Sequence, residues 1–150
     1  TTLRGLPTGV RLQVVLREVG HHHGNLAMVA HLLGTPYFPQ VDGGILFVED
    51  VGETPYRIER MLYQLHHAGV LARQRAILLG RFTEYALSDN DGGYDLAAAV
   101  SALRAVCATP IYTGLPFGHV PDKLTLPVGG RCDLAVRDGT AGMVLSAYAR

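Results

Sequence analysis

The sequence predicts one α/β domain built around a small mixed sheet, and three observations carry that prediction. Two short runs, Gly44–Val48 and Ala76–Leu79, are apolar at consecutive positions, as in strands buried on both faces beneath helices. Three longer stretches around those runs carry apolar residues at helical spacing. Beyond Pro110 the pattern changes to short strand segments separated by glycine, proline and charged residues.

In order along the chain, Val10–Leu16 alternates well enough for a half-buried strand, which the following glycine and histidines end. Asn25 is placed to cap a first helix. Leu26, Val29, Ala30 and Leu33 share one face of it, and Gly34 suits the left-handed position that closes a helix. Thr35-Pro36 opens the exit loop. Gly44–Val48 follows as a buried strand with Glu49 and Asp50 at its carboxyl end. Thr54-Pro55 starts a second helix, a capping hydroxyl before a proline whose missing amide costs nothing there. Ile58, Met61, Leu62 and Leu65 form its apolar stripe, and Gly69 stops it. Ala76–Leu79 is a second buried strand, ending at Gly80, and the polar stretch Ser88–Gly93 is a surface loop. Leu96, Val100, Leu103 and Cys107 mark a third helix that ends before Pro110. The tail offers strands at Ile111–Thr113, Leu124–Leu126, Cys132–Val136 and Met143–Tyr148, the last two joined as a hairpin through residues 137–142.

Composition narrows the function classes. A chain of 150 residues with 48% hydrophobic content can bury a core of its own, and no repeat or linker divides it. Thirteen basic residues balance thirteen acidic ones, which removes the broad positive field that sequence-independent binding to nucleic acid or anionic lipid needs, so neither partner is expected. The longest apolar runs fall far short of the roughly 18 residues of a spanning helix. No secretory signal pattern precedes Val10, and the start at Thr1 leads us to expect a missing upstream part. Cys107 and Cys132 have neither metal-site nor redox-motif spacing and are expected to be buried free thiols.

Two residues stand out chemically. Glu49 closes a buried strand, and His119 follows Gly118 in a loop dense in glycine and proline, the kind of position where a scaffold places reactive groups. A histidine can take a proton from a nucleophile and return it to a leaving group. A carboxylate on its other ring nitrogen fixes the tautomer and stabilises the imidazolium. From spacing alone, a solvated turn or a helix-capping acid explains such a carboxylate more often than catalysis does.

The wording around both residues adds to that reading. In order, His23-Gly24-Asn25-Leu26, Leu33-Gly34-Thr35-Pro36-Tyr37, Leu46-Phe47-Val48-Glu49-Asp50-Val51-Gly52-Glu53, Pro55-Tyr56-Arg57-Ile58-Glu59-Arg60-Met61-Leu62, Leu115-Pro116-Phe117-Gly118-His119-Val120 and Leu124-Thr125-Leu126-Pro127-Val128-Gly129 resemble the C-terminal domain of the LD-carboxypeptidases. That family includes muramoyltetrapeptide carboxypeptidase and the microcin-immunity peptidases. The resemblance covers about Val10 to the end and implies a small domain of the swivelling β/β/α kind. It implies that Glu49 is the carboxylate and His119 the general base of a Ser-Glu-His triad in a serine-type peptidase. It also implies that the enzyme removes the terminal D-amino acid from murein tetrapeptides during cytoplasmic peptidoglycan recycling, without metal or organic cofactor.

The serine belongs, on the same resemblance, to an N-terminal nucleophile domain absent from residues 1–150. The serines present are Ser88, Ser101 and Ser146, and none falls at the strand-to-helix turn that exposes an activated hydroxyl. The chain alone is therefore expected to be inactive, and to self-associate through apolar surface left by the missing domain. The alternatives are a peptidase of the microcin-immunity kind and a noncatalytic binding or assembly domain that retains the fold.

The remaining polar features have simpler readings. His21, His22 and His23 invite a metal, but consecutive imidazoles cannot all aim at one ion and no carboxylate or cysteine supports them, so an exposed loop is the better reading. His66 and His67 sit where they would meet helix-terminal carbonyls. Arg57 and Arg60 pair with Glu53 and Glu59 or meet a substrate carboxylate. Asp122 and Lys123 form a solvated turn or orient the His119 loop. Tyr37 and Phe117 contact substrate or pack beneath loops.

Overall fold

The computed structural model describes residues 10–15, 24–126, 131–137 and 140–146. Its elements run β1 (Val10–Val15), α1 (Leu26–Leu32), β2 (Ile45–Val51), α2 (Pro55–His67), β3 (Ala76–Thr83), α3 (Leu96–Val106), β4 (Ile111–Thr113), β5 (Arg131–Arg137) and β6 (Thr140–Ser146). Single 3-10 turns occupy Leu71–Arg73 and Asp89–Asp91.

The α/β class is as expected, with parallel and antiparallel pairing housed in two separate three-stranded sheets. β2, β3 and β4 pair in parallel in the order β2-β3-β4, whereas β1, β5 and β6 pair antiparallel in the order β1-β5-β6. Parallel neighbours need long crossovers, which α2 and α3 supply. The outcome is three layers: helices, parallel sheet and antiparallel sheet.

Strand alternation assigns the two faces of the parallel sheet. Leu46 and Val48 of β2, Ile77 and Leu79 of β3 and Ile111 of β4 meet Leu26, Ile58, Leu62, Leu65, Val100 and Leu103 from the helices. The intervening residues, Ile45, Phe47, Ala76, Leu78 and Tyr112, meet Cys132, Leu134, Met143 and Leu145 from the antiparallel sheet. Both faces are covered, which is why these strands read as unbroken apolar runs. Each fully buried aliphatic side chain contributes about 1.5–3 kcal/mol relative to exposure.

Local chemistry bounds the helices. Asn25 Oδ1 accepts from the Met28 amide at 3.0 Å, and Gly34 beyond the helix takes φ +82°. Asp95 caps α3 by accepting from Ala98 N at 2.8 Å. Thr54 does not cap α2 as expected: its hydroxyl is turned inward and buried without a hydrogen-bond partner, while its carbonyl accepts from the Arg57 and Ile58 amides. Thr109 donates from Oγ1 to the Leu71 carbonyl at 2.8 Å, and Arg104 donates to the Ile111 carbonyl from Nε at 3.1 Å and Nη2 at 2.7 Å. These bonds seat β4, from which the His119 loop departs.

Three further sequence expectations change. β2 and β3 continue past Val48 and Gly80 because a bulge lets the pairing resume at Asp50 and Phe82. Leu124–Leu126 forms no strand, and the Leu124 amide donates instead to the Pro116 carbonyl at 2.7 Å, closing the loop. The hairpin strands reach inward to Arg137 and Thr140, so its turn is shorter than residues 137–142. Cys107 and Cys132 are buried and free, as expected. The readings made of His21, His22 and His23, of Leu16, of residues 127–130 and of Tyr148 lie outside the described residues.

Candidate active site

Glu49 lies where β2 passes the bulge. Pairing runs Val48 with Leu79, then Asp50 with Phe82, so Gly80 and Arg81 stand opposite Glu49 alone. An extra residue of this kind bends its strand and re-aims neighbouring side chains, and bulges recur beside functional sites. Glu49 and Asp50 leave the strand on opposite faces, and both are buried, at 4% and 3% exposure. The Asp50 carboxylate meets the start of α1. The Glu49 carboxylate turns to the other side, under the loop that follows β4.

That loop brings His119 to it. His119 Nδ1 lies 2.9 Å from Glu49 Oε2, with the Glu49 side chain 5% exposed and the His119 side chain 59% exposed. A buried carboxylate is costly without a donor, and here the donor is the Nδ1–H of the imidazole. Fixing Nδ1 as the donor leaves Nε2 as the acceptor of the neutral ring. The arrangement can therefore accept a proton at Nε2 and hold the resulting imidazolium against a carboxylate.

Two glycines make this approach sterically feasible. A Cβ at Gly118, whose φ is +128°, would lie 3.0 Å from Glu49 Oε2 and 3.0 Å from the Arg81 carbonyl. One at Gly80 would lie 2.6 Å from the Phe117 carbonyl and 3.2 Å from Glu49 Cβ. The Arg81 amide donates to the same Phe117 carbonyl at 2.8 Å, and Phe117 packs edge to face on Phe47. On the far edge of β2, the Glu49 amide donates to the Gly24 carbonyl, and Asn25 bridges Glu49 in parallel.

The other candidate residues fall elsewhere. Arg57 Nη1 is 3.7 Å from Glu53 one turn before it, on an exposed face, and Arg60 is also exposed. Asp122 and Lys123 are exposed, as a solvated turn requires. Phe117 packs beneath the loop, and Tyr37 is 79% exposed. His66 and His67 do occupy the last turn of α2, but their rings lie against Tyr63, and His66 Nδ1 is buried without a hydrogen-bond partner. Among the described residues no cluster of three metal-ligating side chains occurs. Ser88 donates from both its amide and its hydroxyl to Asp91, Ser101 lies on the exposed face of α3, and Ser146 lies in β6. Sequence reasoning missed Gly80 and Asp50. The available signals were a glycine ending a buried run and a second acid beside the first.

Comparison with known proteins sets the class first: the relatives found include proteins that carry the name of carboxypeptidases. Residues 21–134 match the LD-carboxypeptidase C-terminal domain family, and the chain belongs to it. A Synechocystis sp. protein named as a candidate carboxypeptidase is 37% identical over 144 residues, covering 93% of this chain and 47% of its own. The crystal structure of muramoyltetrapeptide carboxypeptidase from Oxalobacter formigenes superposes with a TM-score of 0.88 at 47% identity, covering 99% of this chain and 50% of that one. The microcin C7 self-immunity protein shares the fold, with a TM-score of 0.74 at 20% identity over 95% of this chain and 41% of that one. The chain thus spans about half the length of these relatives.

Proposed function

We propose that this chain is the C-terminal domain of a serine-type LD-carboxypeptidase that removes the terminal D-amino acid from murein tetrapeptides, with Glu49 and His119 as two members of its triad. The observation that carries the reading is the 2.9 Å contact between the buried Glu49 carboxylate and Nδ1 of a half-exposed His119. The 47% identity to a muramoyltetrapeptide carboxypeptidase, against 20% to the microcin immunity protein, favours the murein substrate.

In this scheme a serine from an N-terminal nucleophile domain attacks the carbonyl carbon of the L-to-D linkage, and His119 Nε2 takes its proton. Glu49 holds Nδ1–H throughout and stabilises the imidazolium. The imidazolium then gives the proton to the leaving amine, the D-amino acid departs, and water activated by the same nitrogen hydrolyses the acyl-serine. The chemistry requires no metal. The reading includes a role in cytoplasmic peptidoglycan recycling. Among the described residues no helix is long and apolar enough to cross a membrane.

The test is a chimera that joins residues 1–150 to the N-terminal half of the Oxalobacter formigenes enzyme. Release of the terminal D-amino acid from an L,D-tetrapeptide is expected from the chimera and not from the 150-residue chain. His119→Ala and Glu49→Ala should each lower kcat by about 10³-fold or more while the variants remain folded. Retained turnover in either variant, or turnover by the isolated chain, would overturn the assignment.

A further inference from the structure

Asp50 sits beside Glu49, yet its carboxylate is wholly committed to other groups. Oδ1 accepts from Asn25 Nδ2 at 2.7 Å and from its own neighbour's amide, Val51 N, at 2.9 Å, while Oδ2 accepts from Ala27 N at 2.9 Å. Hydrogen bonds to a buried charge are strong, and losing one leaves a costly unmatched group. Helix capping accounts only for the bond from Ala27 N; the bonds from Asn25 Nδ2 and Val51 N satisfy no free amide of α1.

The segment Asp50 grips is the one that touches the site. Gly24, immediately before Asn25, gives its carbonyl to the Glu49 amide, and Asn25 itself bridges Glu49. Gly24 also lies against the Phe117 ring, where a Cβ would come within 2.6 Å of Cζ. One end of this clamp therefore reaches the backbone of Glu49. The other reaches the loop two residues before His119.

We propose that Asp50 is a positioning residue: by holding Asn25 and the first turn of α1, it fixes Gly24 against both Glu49 and Phe117 and so sets the Glu49–His119 contact. The inference rests on reading that pair as carboxylate and base. Asp50 touches no reacting atom in this scheme. Its effect is on the orientation of the imidazole and hence on which ring nitrogen carries the proton.

The measurement is the tautomer of neutral His119, read from its side-chain ¹⁵N shifts in the 150-residue protein, with thermal unfolding as the control for folding. Wild type should hold the ring mainly as Nδ1–H, and Glu49→Ala should release it to the Nε2–H form usual in water. Asp50→Asn loses an acceptor oxygen. Asn25→Ser retains a capping hydroxyl but is too short to reach Asp50 as well. In both, the Nδ1–H fraction should fall by about half, and the double exchange Asn25→Asp with Asp50→Asn, which reverses the pair's polarity, should restore most of it. An unchanged fraction in folded Asp50→Asn would overturn the proposal. If that variant does not fold, the same result in Asn25→Ser overturns it. If Glu49→Ala itself leaves the tautomer unchanged, the pair reading fails as well.

Discussion

Phe47 and Phe117 meet edge to face, with ring centroids 5.1 Å apart and planes at 84°, and each stands two residues before one member of the Glu49–His119 pair. In an extended strand, residues two apart share a face, so the ring contact and the carboxylate–imidazole contact lie side by side on one side of β2. The aromatic pair is the apolar anchor for the polar one. Phe117→Ala should destabilise the protein by about 2 kcal/mol, below the roughly 3–5 of a fully buried ring because Phe117 is partly exposed. Urea denaturation measures it, and the variant's His119 ring resonances should broaden or shift as the loop loses its anchor.

Glycines beside Glu49 should tolerate substitution less well than one at a helix end. Gly34→Ala meets open space and carries only the cost of a left-handed backbone, about 1 kcal/mol. Gly118→Ala adds contacts at 3.0 Å with Glu49 Oε2 and the Arg81 carbonyl, and Gly80→Ala adds one at 2.6 Å with the Phe117 carbonyl. Both should cost more than Gly34→Ala in melting temperature. They should also separate Glu49 from His119, visible as a change in the His119 ¹⁵N shifts that Gly34→Ala lacks.

Alkaline pH should weaken the fold through two acids that the folded state keeps neutral, Cys132 by burial and Tyr94 by partial burial beside the Glu59 carboxylate. Desolvation pushes the Cys132 thiol up from 9.0 to about 11, with Asp133 adding to it, and pushes the Tyr94 phenol up from 10.0 to about 12. In both cases the unfolded state releases its proton first. Stability is thus unaffected below about pH 9, falls as the unfolded groups ionise, and has lost the full contribution once pH passes the folded values. Denaturant midpoints from pH 8 to 11 should decline, and Cys132→Ala should flatten the lower part of that decline. Iodoacetamide at pH 8 should label Cys132 only after unfolding.

Core and surface should respond in opposite ways on α2. Leu62 is fully buried between α2 and the sheet, so Leu62→Ala should cost about 2–5 kcal/mol in urea titrations. Arg57→Gln breaks the exposed ion pair with Glu53 and should leave the urea midpoint unchanged within error, because solvent already screens that pair. The bond from Arg57 Nε to the Tyr56 hydroxyl at 3.2 Å is exposed as well and adds little, so a large loss from Arg57→Gln would overturn the reading of this face as screened by solvent.

The sequence by itself determined what local physics governs. Asn25, Gly34 and Gly69 mark helix ends, the stripes of α1 to α3 mark their buried faces, and the runs at Ile45 and Ala76 mark strands with two covered sides. It also contained both residues of the candidate site, which the motif wording singled out where spacing alone did not. What it left open were properties of nonlocal contact. Leu124–Leu126 has strand-like composition, but the Pro116 carbonyl captures its amide; Thr54 has the right chemistry for a cap, but its hydroxyl faces inward. Only the tertiary structure decided that the strands divide into two sheets, that Gly80 and Gly118 vacate the space around Glu49, and that residues seventy positions apart meet at 2.9 Å. The physical reason is that periodicity and capping act over a few residues of chain. A bulge, a shared carbonyl or a buried carboxylate finds its partner only once distant segments have packed.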